Sequence, residues 1–248
     1  MLAELAATDG GATLTTLAAR CGLPAPTVHR LLATFEAAGY VQSGTNGEWL
    51  VGLAAFQVGS AFLHHRNLVV HVFPYLKHLM EQSGETANLA VMDTGEAVFV
   101  EQVQCRELMR MSAKLGARAP LHASGVGKAM LAAMDERAAS ALLGRHGLAR
   151  FTPRTFTARD ALAGELAATR ARGYAVDDEE HALGLRCVAA ALRDEQGEVW
   201  AALSLAGPTS RFTLERVPNL GGLVREIAHE VTRALGGLSP RRPAAAAD

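Results

Sequence analysis

The hydrophobic pattern changes character along the chain. Over residues 1–52, short helical periodicities are broken by turns. Residues 2–7 predict a short helix, and Asp9-Gly-Gly-Ala-Thr13 predicts a turn. Leu14, Leu17 and Ala18 recur at helical spacing until Cys21-Gly22-Leu23-Pro24, where glycine and proline stop the helix. A second helix is predicted from Pro26 to Ala38, with Val28, Leu31, Leu32 and Phe35 on its apolar face. Thr27, His29, Arg30 and Thr34 then fall on the outward side. Gly39 ends this helix, and Tyr40-Val-Gln-Ser and Glu48-Trp-Leu-Val flank a turn in which Asn46-Gly47 is the strongest short hairpin signal. Helix, turn, helix and hairpin in this order predict a winged helix-turn-helix over 1–52.

Beyond it, residues 53–67 predict a linker helix. Their apolar face lacks the Gly, Ser or Pro enrichment of a flexible tether. Leu68 to Gln82 predicts a further helix, with Pro74 as a kink or restart. The rhythm then becomes mixed. Ala87–Asp93 and Ala97–Val103 alternate about Thr94-Gly95 as a hairpin, and Leu108–Ala113 predicts a third strand. Helices fit Ala123–Met134, Glu136–Leu143 and Arg159–Arg172. Strands fit Tyr174–Asp177, Cys187–Leu192 and Val199–Leu205, and a last helix fits Val217–Leu235. Hairpins with interspersed helices predict an α+β domain with an antiparallel sheet over 68–237, and the Pro/Ala-rich residues 238–248 predict a disordered tail.

Composition narrows the class without naming a function. The 248 residues are 49% hydrophobic and 20% charged, with a formal net charge of -1, an ordinary balance for a soluble protein with no overall pull toward nucleic acid or membrane. Three well-separated cysteines without a C-x-x-C pair argue against a disulfide framework or cysteine zinc site, and the start lacks the basic segment of a signal peptide. These features predict a cytoplasmic location. Charge does alter the reading of residues 1–52, where Arg20 and Arg30 face Glu4, Asp9, Glu36 and Glu48, a balance of -2. Neutralising phosphates usually dominates DNA affinity, so a small helical cap fits this stretch as well as a DNA reader does. Backbone amides at the second helix's N-terminus could offset part of the deficit.

Two stretches carry chemistry. In His122-Ala-Ser-Gly-Val-Gly-Lys128 a P-loop fails twice: His122 stands where the first glycine belongs, and Ala129 follows the lysine. What remains is a glycine-containing turn opening a helix, which serves either as an ordinary N-cap by Ser124 or as a cradle of N–H groups for a small anion. In Asp177-Asp-Glu-Glu180 four adjacent carboxylates repel one another and predict a solvated loop. That loop feeds the apolar run Cys187–Leu192, an arrangement that also delivers polar groups to the edge of an apolar layer for a small ligand. No nucleophile elbow, H-E-x-x-H pair or positioned acid–base pair is visible, and adjacent side chains in the acidic run cannot all converge on one ion. Neither catalysis nor a metal or other cofactor is expected, and Cys187 reads as a buried hydrophobe rather than a nucleophile.

Taken together, these segments resemble the IclR family of bacterial transcriptional regulators over nearly the whole chain. Gly22-Leu-Pro-Ala-Pro-Thr-Val-His-Arg-Leu-Leu32 and Ala37-Ala-Gly-Tyr-Val41 match its recognition helix and wing entry. Met109-Arg-Met-Ser112, His122 to Ala129, Arg172-Gly-Tyr174, Asp177 to Cys187 and Ser204-Leu-Ala-Gly-Pro208 match its effector domain. The resemblance implies a winged helix that reads a double-stranded DNA operator through Pro26, Thr27, His29, Arg30, Thr34 and Asn46. It further implies a GAF-like effector domain, assembly into homodimers and homotetramers, and a small 2-oxo acid effector, glyoxylate or pyruvate. The implied pocket uses the amides of Gly125 and Val126, polar contacts from Asp177, Cys187 and Ser204, and an apolar wall of Leu108, Met111 and Leu185, with Asp178 to Glu180 left as solvated scaffolding.

The chain departs from the family pattern in three places. Pro26 replaces a hydroxyl residue and removes an N–H. Ala206 replaces the second serine of a Ser-x-Ser strand, a lost hydrogen bond worth roughly 0.5–1.5 kcal/mol, which leaves room for a larger organic acid, an aromatic one included. The chain also starts at or inside the first helix without the family's basic leading segment, which predicts a truncated or misassigned start.

Overall fold

A computed structural model describes residues 1–8, 10–64 and 68–238, with only the backbone described over 60–64 and at 68. The predicted tail beyond Leu238, Asp9 of the first predicted turn and the end of the predicted linker, 65–67, lie outside the described residues. The chain divides into two compact units, Met1–Leu68 and Val69–Asp248.

In the first unit, helix α1 (Leu2–Ala6) leads into a two-residue strand β1 (Ala12–Thr13). Helix α2 (Leu14–Cys21) starts on Thr13, whose side chain accepts the Thr16 N–H, and ends on Gly22 in the left-handed region, φ 64. Helix α3 (Ala25–Ala37) follows, then the wing strands β2 (Val41–Ser43) and β3 (Glu48–Val51). The strand order is β1-β3-β2, so Ala12 and Thr13 form a strand against Trp49 and Glu48 where the sequence predicts only a turn. Two residues are too few to show an alternating pattern. Leu5, Ala12, Leu17, Val28, Leu32 and Val41 make the core. A fully buried leucine such as Leu17 or Leu32 contributes about 1.5–3 kcal/mol. Leu31, predicted on the apolar face, is exposed. Helix α4 (Leu53–His64) continues from the wing.

The second unit opens with α5 (Leu68–Ser83), which runs through Pro74 without a restart. Strands β4 (Thr86–Asp93) and β5 (Glu96–Val103) form the predicted hairpin. The predicted strand at Leu108–Ala113 does not form, and β6 (Arg118–Pro120) takes the edge of β5 instead. Side chains explain the difference. Arg110 donates to the Gln104 side chain and the Glu107 carbonyl, and Thr86 Oγ1 donates to the Met111 carbonyl at 3.0 Å. These bonds hold the segment as an irregular loop, with Leu108 99% exposed. A 3-10 turn then leads into α6 (Gly125–Ala133), followed by α7 (Glu136–His146) and α8 (Arg159–Arg172). Strands β7 (Ala175–Asp178), β8 (Leu185–Arg193) and β9 (Val199–Pro208) and helix α9 (Val217–Ala234) complete the unit. The sheet is antiparallel throughout, in the order β6-β5-β4-β9-β8-β7. Helices α6 and α9 both pack on β8 and β9.

Candidate functional site

Sheet register and the two-residue period bring distant polar positions onto one face. Asp177 pairs with Cys187, Cys187 with Ala206, and Ala206 with Thr86. Two residues along, Ala189 pairs with Ser204, Ser204 with Asn88, and Asn88 with Gln102. In this second row Gln102 donates to Asn88 Oδ1 at 2.7 Å, and Asn88 donates to Ser204 Oγ at 3.2 Å. The chain of amides fixes Asn88 and leaves the Ser204 hydrogen free to point elsewhere.

Helix α6 is laid against this face by its glycines. A Cβ on Gly125 would lie 2.8 Å from Cys187 Sγ, and one on Gly127 would lie 2.3 Å from Leu121 Cα. Close approach, rather than phosphate binding, therefore explains the Gly-x-Gly of the sequence. Ser124 caps the helix, accepting the Gly127 N–H at 3.1 Å and donating to the Pro120 carbonyl at 2.7 Å. The amides of Gly125 and Val126 belong to the first turn, which has no intrahelical acceptors.

Between helix and sheet lies a cavity of about 270 Å³. Met111, Gly125, Val126, Asp177, Leu185, Cys187 and Ser204 all line it. Leu108 does not: the loop conformation turns it outward, so its place on the apolar wall is a correction. Asn88, Phe99, Ser112 and His181 also line the cavity and were not picked out by pattern. A buried asparagine among the apolar residues of β4 was the signal available for Asn88.

The acidic run is not solvated scaffolding. Asp177 is 2% exposed and Glu180 4%. Lys128, with no exposed surface, contacts Glu180 directly and lies 3.7 Å from Glu165. Asp178 pairs with Arg154 and Arg186, and Glu179, at φ 60, accepts the Gly184 N–H. The repulsion expected among four neighbours is relieved by cations distant in sequence. Burial pushes the Glu180 carboxyl up to about 7 against the pull of Lys128, and its Oε2 is buried without a partner. Burial likewise raises Asp177 to about 6, opposed by amide hydrogen bonds and Lys128. The Cys187 thiol is driven far above its ordinary range by burial and by Asp177, which suits a hydrogen-bond donor and not a nucleophile. A larger groove of about 360 Å³ sits at the other end of α6. Its guanidiniums are committed to helix-end carbonyls: Arg170 donates to Ala132 at 2.9 Å and Arg193 to Ala133 at 2.6 Å.

In the first unit, α3 exposes Pro26, His29, Arg30 and Thr34, while Thr27 is half-buried and Asn46 stands exposed in the wing turn. Glu36 accepts the backbone N–H and hydroxyl of Ser43, fixing the wing to α3. Arg20 is tied to Thr8, and the Thr34 hydroxyl donates back to the Arg30 carbonyl.

Comparison with known proteins decides the family. The IclR helix-turn-helix domain matches residues 1–44, and the bacterial transcriptional regulator IclR C-terminal domain matches residues 60–233. The chain belongs to the IclR family. Among IclR proteins it is 50% identical over 241 residues to the transcriptional repressor IclR of Escherichia coli, covering 96% of this chain and 88% of that one. It is 51% identical over 240 residues to the acetate operon repressor of Salmonella typhimurium, with the same coverage of 96% and 88%. A solved IclR homolog from Microbacterium hydrocarbonoxydans, complexed with 4-hydroxybenzoate, matches with a TM-score of 0.78 at 26% identity, over 90% of each chain. The chain is therefore a helix-turn-helix transcriptional regulator with an IclR-type effector domain.

Proposed function

We propose that this regulator represses a carbon-metabolism operon of the glyoxylate-bypass kind, and that a small 2-oxo acid such as glyoxylate or pyruvate controls its hold on DNA. The observation that carries the reading is the cavity between α6 and the sheet. It offers helix N-terminal amides for a carboxylate, the Ser204 hydroxyl and Cys187 thiol as donors, and Phe99, Met111 and Leu185 to exclude water. The two closely related repressors support the operon class. Pro26, Thr27, His29, Arg30, Thr34 and Asn46 are the residues assigned to DNA, and the working form is a homodimer that pairs into a tetramer. Control follows from linkage, since an effector that binds one quaternary arrangement better shifts the population toward it.

Gel-shift titration across salt, together with calorimetry against glyoxylate and pyruvate, tests both halves. Operator binding with a salt slope and sequence preference is the expected result. Neither acid binding at millimolar concentration would remove the effector class. A second reading has its own support: Ala206 with Ala113, Ala117 and Ala119 leaves a wide cavity beside Phe99. Tighter binding of an aromatic acid than of pyruvate would favour it.

A further inference from the structure

The acids around the cavity are not balanced by the cations that reach them. Arg172 pairs with Glu165 and Lys128 with Glu180. On the neighbouring strand, Arg186 is spent on Asp178, and Arg118 in the cavity wall is held by Asp93 and Glu96. Asp177 alone is left with no ion pair among the described residues, although it is 2% exposed. Its Oδ1 accepts the amide N–H groups of Glu180 at 2.8 Å and His181 at 3.4 Å, and the residue lines the cavity. Cys187 on β8, Ser204 on β9 and the start of α6 face the same space. The other titratable groups in the wall are Cys187, Arg118 and His181. Burial keeps the Cys187 thiol protonated and favours the neutral form of His181, and the Lys128 ammonium and the Asp178 carboxylate act on Asp177 from outside the wall.

A lone buried carboxylate is a poor neighbour for an anion unless a hydrogen lies between them. On the proposed small-acid reading the ligand's own carboxylate meets the Gly125 and Val126 amides, so the group left to meet Asp177 is the oxygen on C2. An ionised Asp177 facing a C2 carbonyl places two acceptors together with no hydrogen. Facing a C2 hydroxyl, it accepts a charge-assisted hydrogen bond.

We propose that Asp177 sets the ligand class of this cavity through the hydrogen on the C2 oxygen. Ionised, it takes 2-hydroxy acids and hydrated 2-oxo acids, whose hydroxyl donates to the carboxylate. Protonated, it takes the carbonyl form and donates to it. The inference rests on the reading that the cavity holds a small organic acid. Burial holds the group near the middle of the accessible pH range, so both forms can be reached. Above about pH 6 the hydroxyl class is favoured, and below it the carbonyl class. The Kd of a carbonyl ligand rises about tenfold per pH unit above the midpoint, as the protonated fraction falls. The Kd of a hydroxy acid rises in the same way below it.

Calorimetry on the full chain with pyruvate and each enantiomer of lactate, from about pH 5 to pH 8, is the test. All three ligands stay ionised over this range, so their own titration does not intrude. The lactate-to-pyruvate affinity ratio should rise by about tenfold per pH unit for the better enantiomer, toward about a thousandfold over the range. Asp177→Asn should flatten that change, and His181→Gln should keep it. A flat ratio in the wild type, a change surviving in Asp177→Asn, or one lost in His181→Gln overturns the inference while leaving the small-acid reading in place. Binding of none of the three at any pH removes that reading as well.

Discussion

A buried acid whose desolvation outweighs the pull of nearby Lys128 should cost the folded protein stability, and Asp177→Asn measures that cost. The substitution keeps the shape and the Oδ1 acceptor used by Glu180 and His181, and removes the charge. Raising the carboxyl from 3.8 to about 6 means the ionised folded state is disfavoured by about 3 kcal/mol. Because the folded state holds the proton more tightly than the unfolded chain, wild-type stability from this group grows as pH falls through about 6 toward 3.8. At pH 8 the variant should therefore gain about 3 kcal/mol, and at pH 5, where folded Asp177 is mostly protonated and the unfolded residue is not, about half that. For a chain of this size a gain of that order raises Tm by about 6–12 °C at pH 8. Thermal unfolding of both proteins at the two pH values reads the difference. A variant no more stable at pH 8, or a gain as large at pH 5, refutes the argument.

Three further substitutions probe the site and the DNA face. Gly125→Ala pushes a methyl against Cys187 Sγ, and should cost about 1–3 kcal/mol in thermal unfolding while abolishing binding of the effector acid in calorimetry. Lys128→Met leaves Glu180 buried without its cation, and should cost about 3–5 kcal/mol in denaturant unfolding, most of it recovered in Lys128→Met/Glu180→Leu. Arg30→Ala on the exposed face of α3 should weaken operator binding in gel shifts and lower the salt slope by about 0.9.

Local pattern was enough for most elements because each has a clean period and a clear stop. Helix α8 has a glycine at its left-handed C-cap, and Thr13 and Gly22 bracket α2. The loop after β5 misled because Leu108, Met109 and Met111 are apolar, yet side-chain bonds from Arg110 and Thr86 outweigh strand propensity there. In the cavity, single residues were readable while their pairings were not. Lys128 and Glu180 are 52 residues apart, and Asn88 and Ser204 are 116 apart. Nothing local in an acidic run says that its last member is buried beneath a helix. The same distance hid the meaning of the glycines, since Gly125 is required by Cys187 on a strand that follows much later.

A carboxylate without an ion pair, in the wall of a cavity proposed to hold acids, is self-defeating until the task is considered. A buried guanidinium in place of Asp177 would hold any small anion through strong bidentate bonds and discriminate little among them. Helix amides provide only a partial positive charge, roughly half an elementary unit at the N-terminus. Set against a buried acid, that attraction should bind a small anion more weakly than a guanidinium would. It also makes affinity depend on the donor pattern of the ligand rather than on its charge alone. Specificity then comes from what the cavity repels as much as from what it attracts. Lys128 fits the same logic: its ammonium, on α6, is paired with Glu180 and so anchors the loop that carries Asp177, outside the residues that line the cavity.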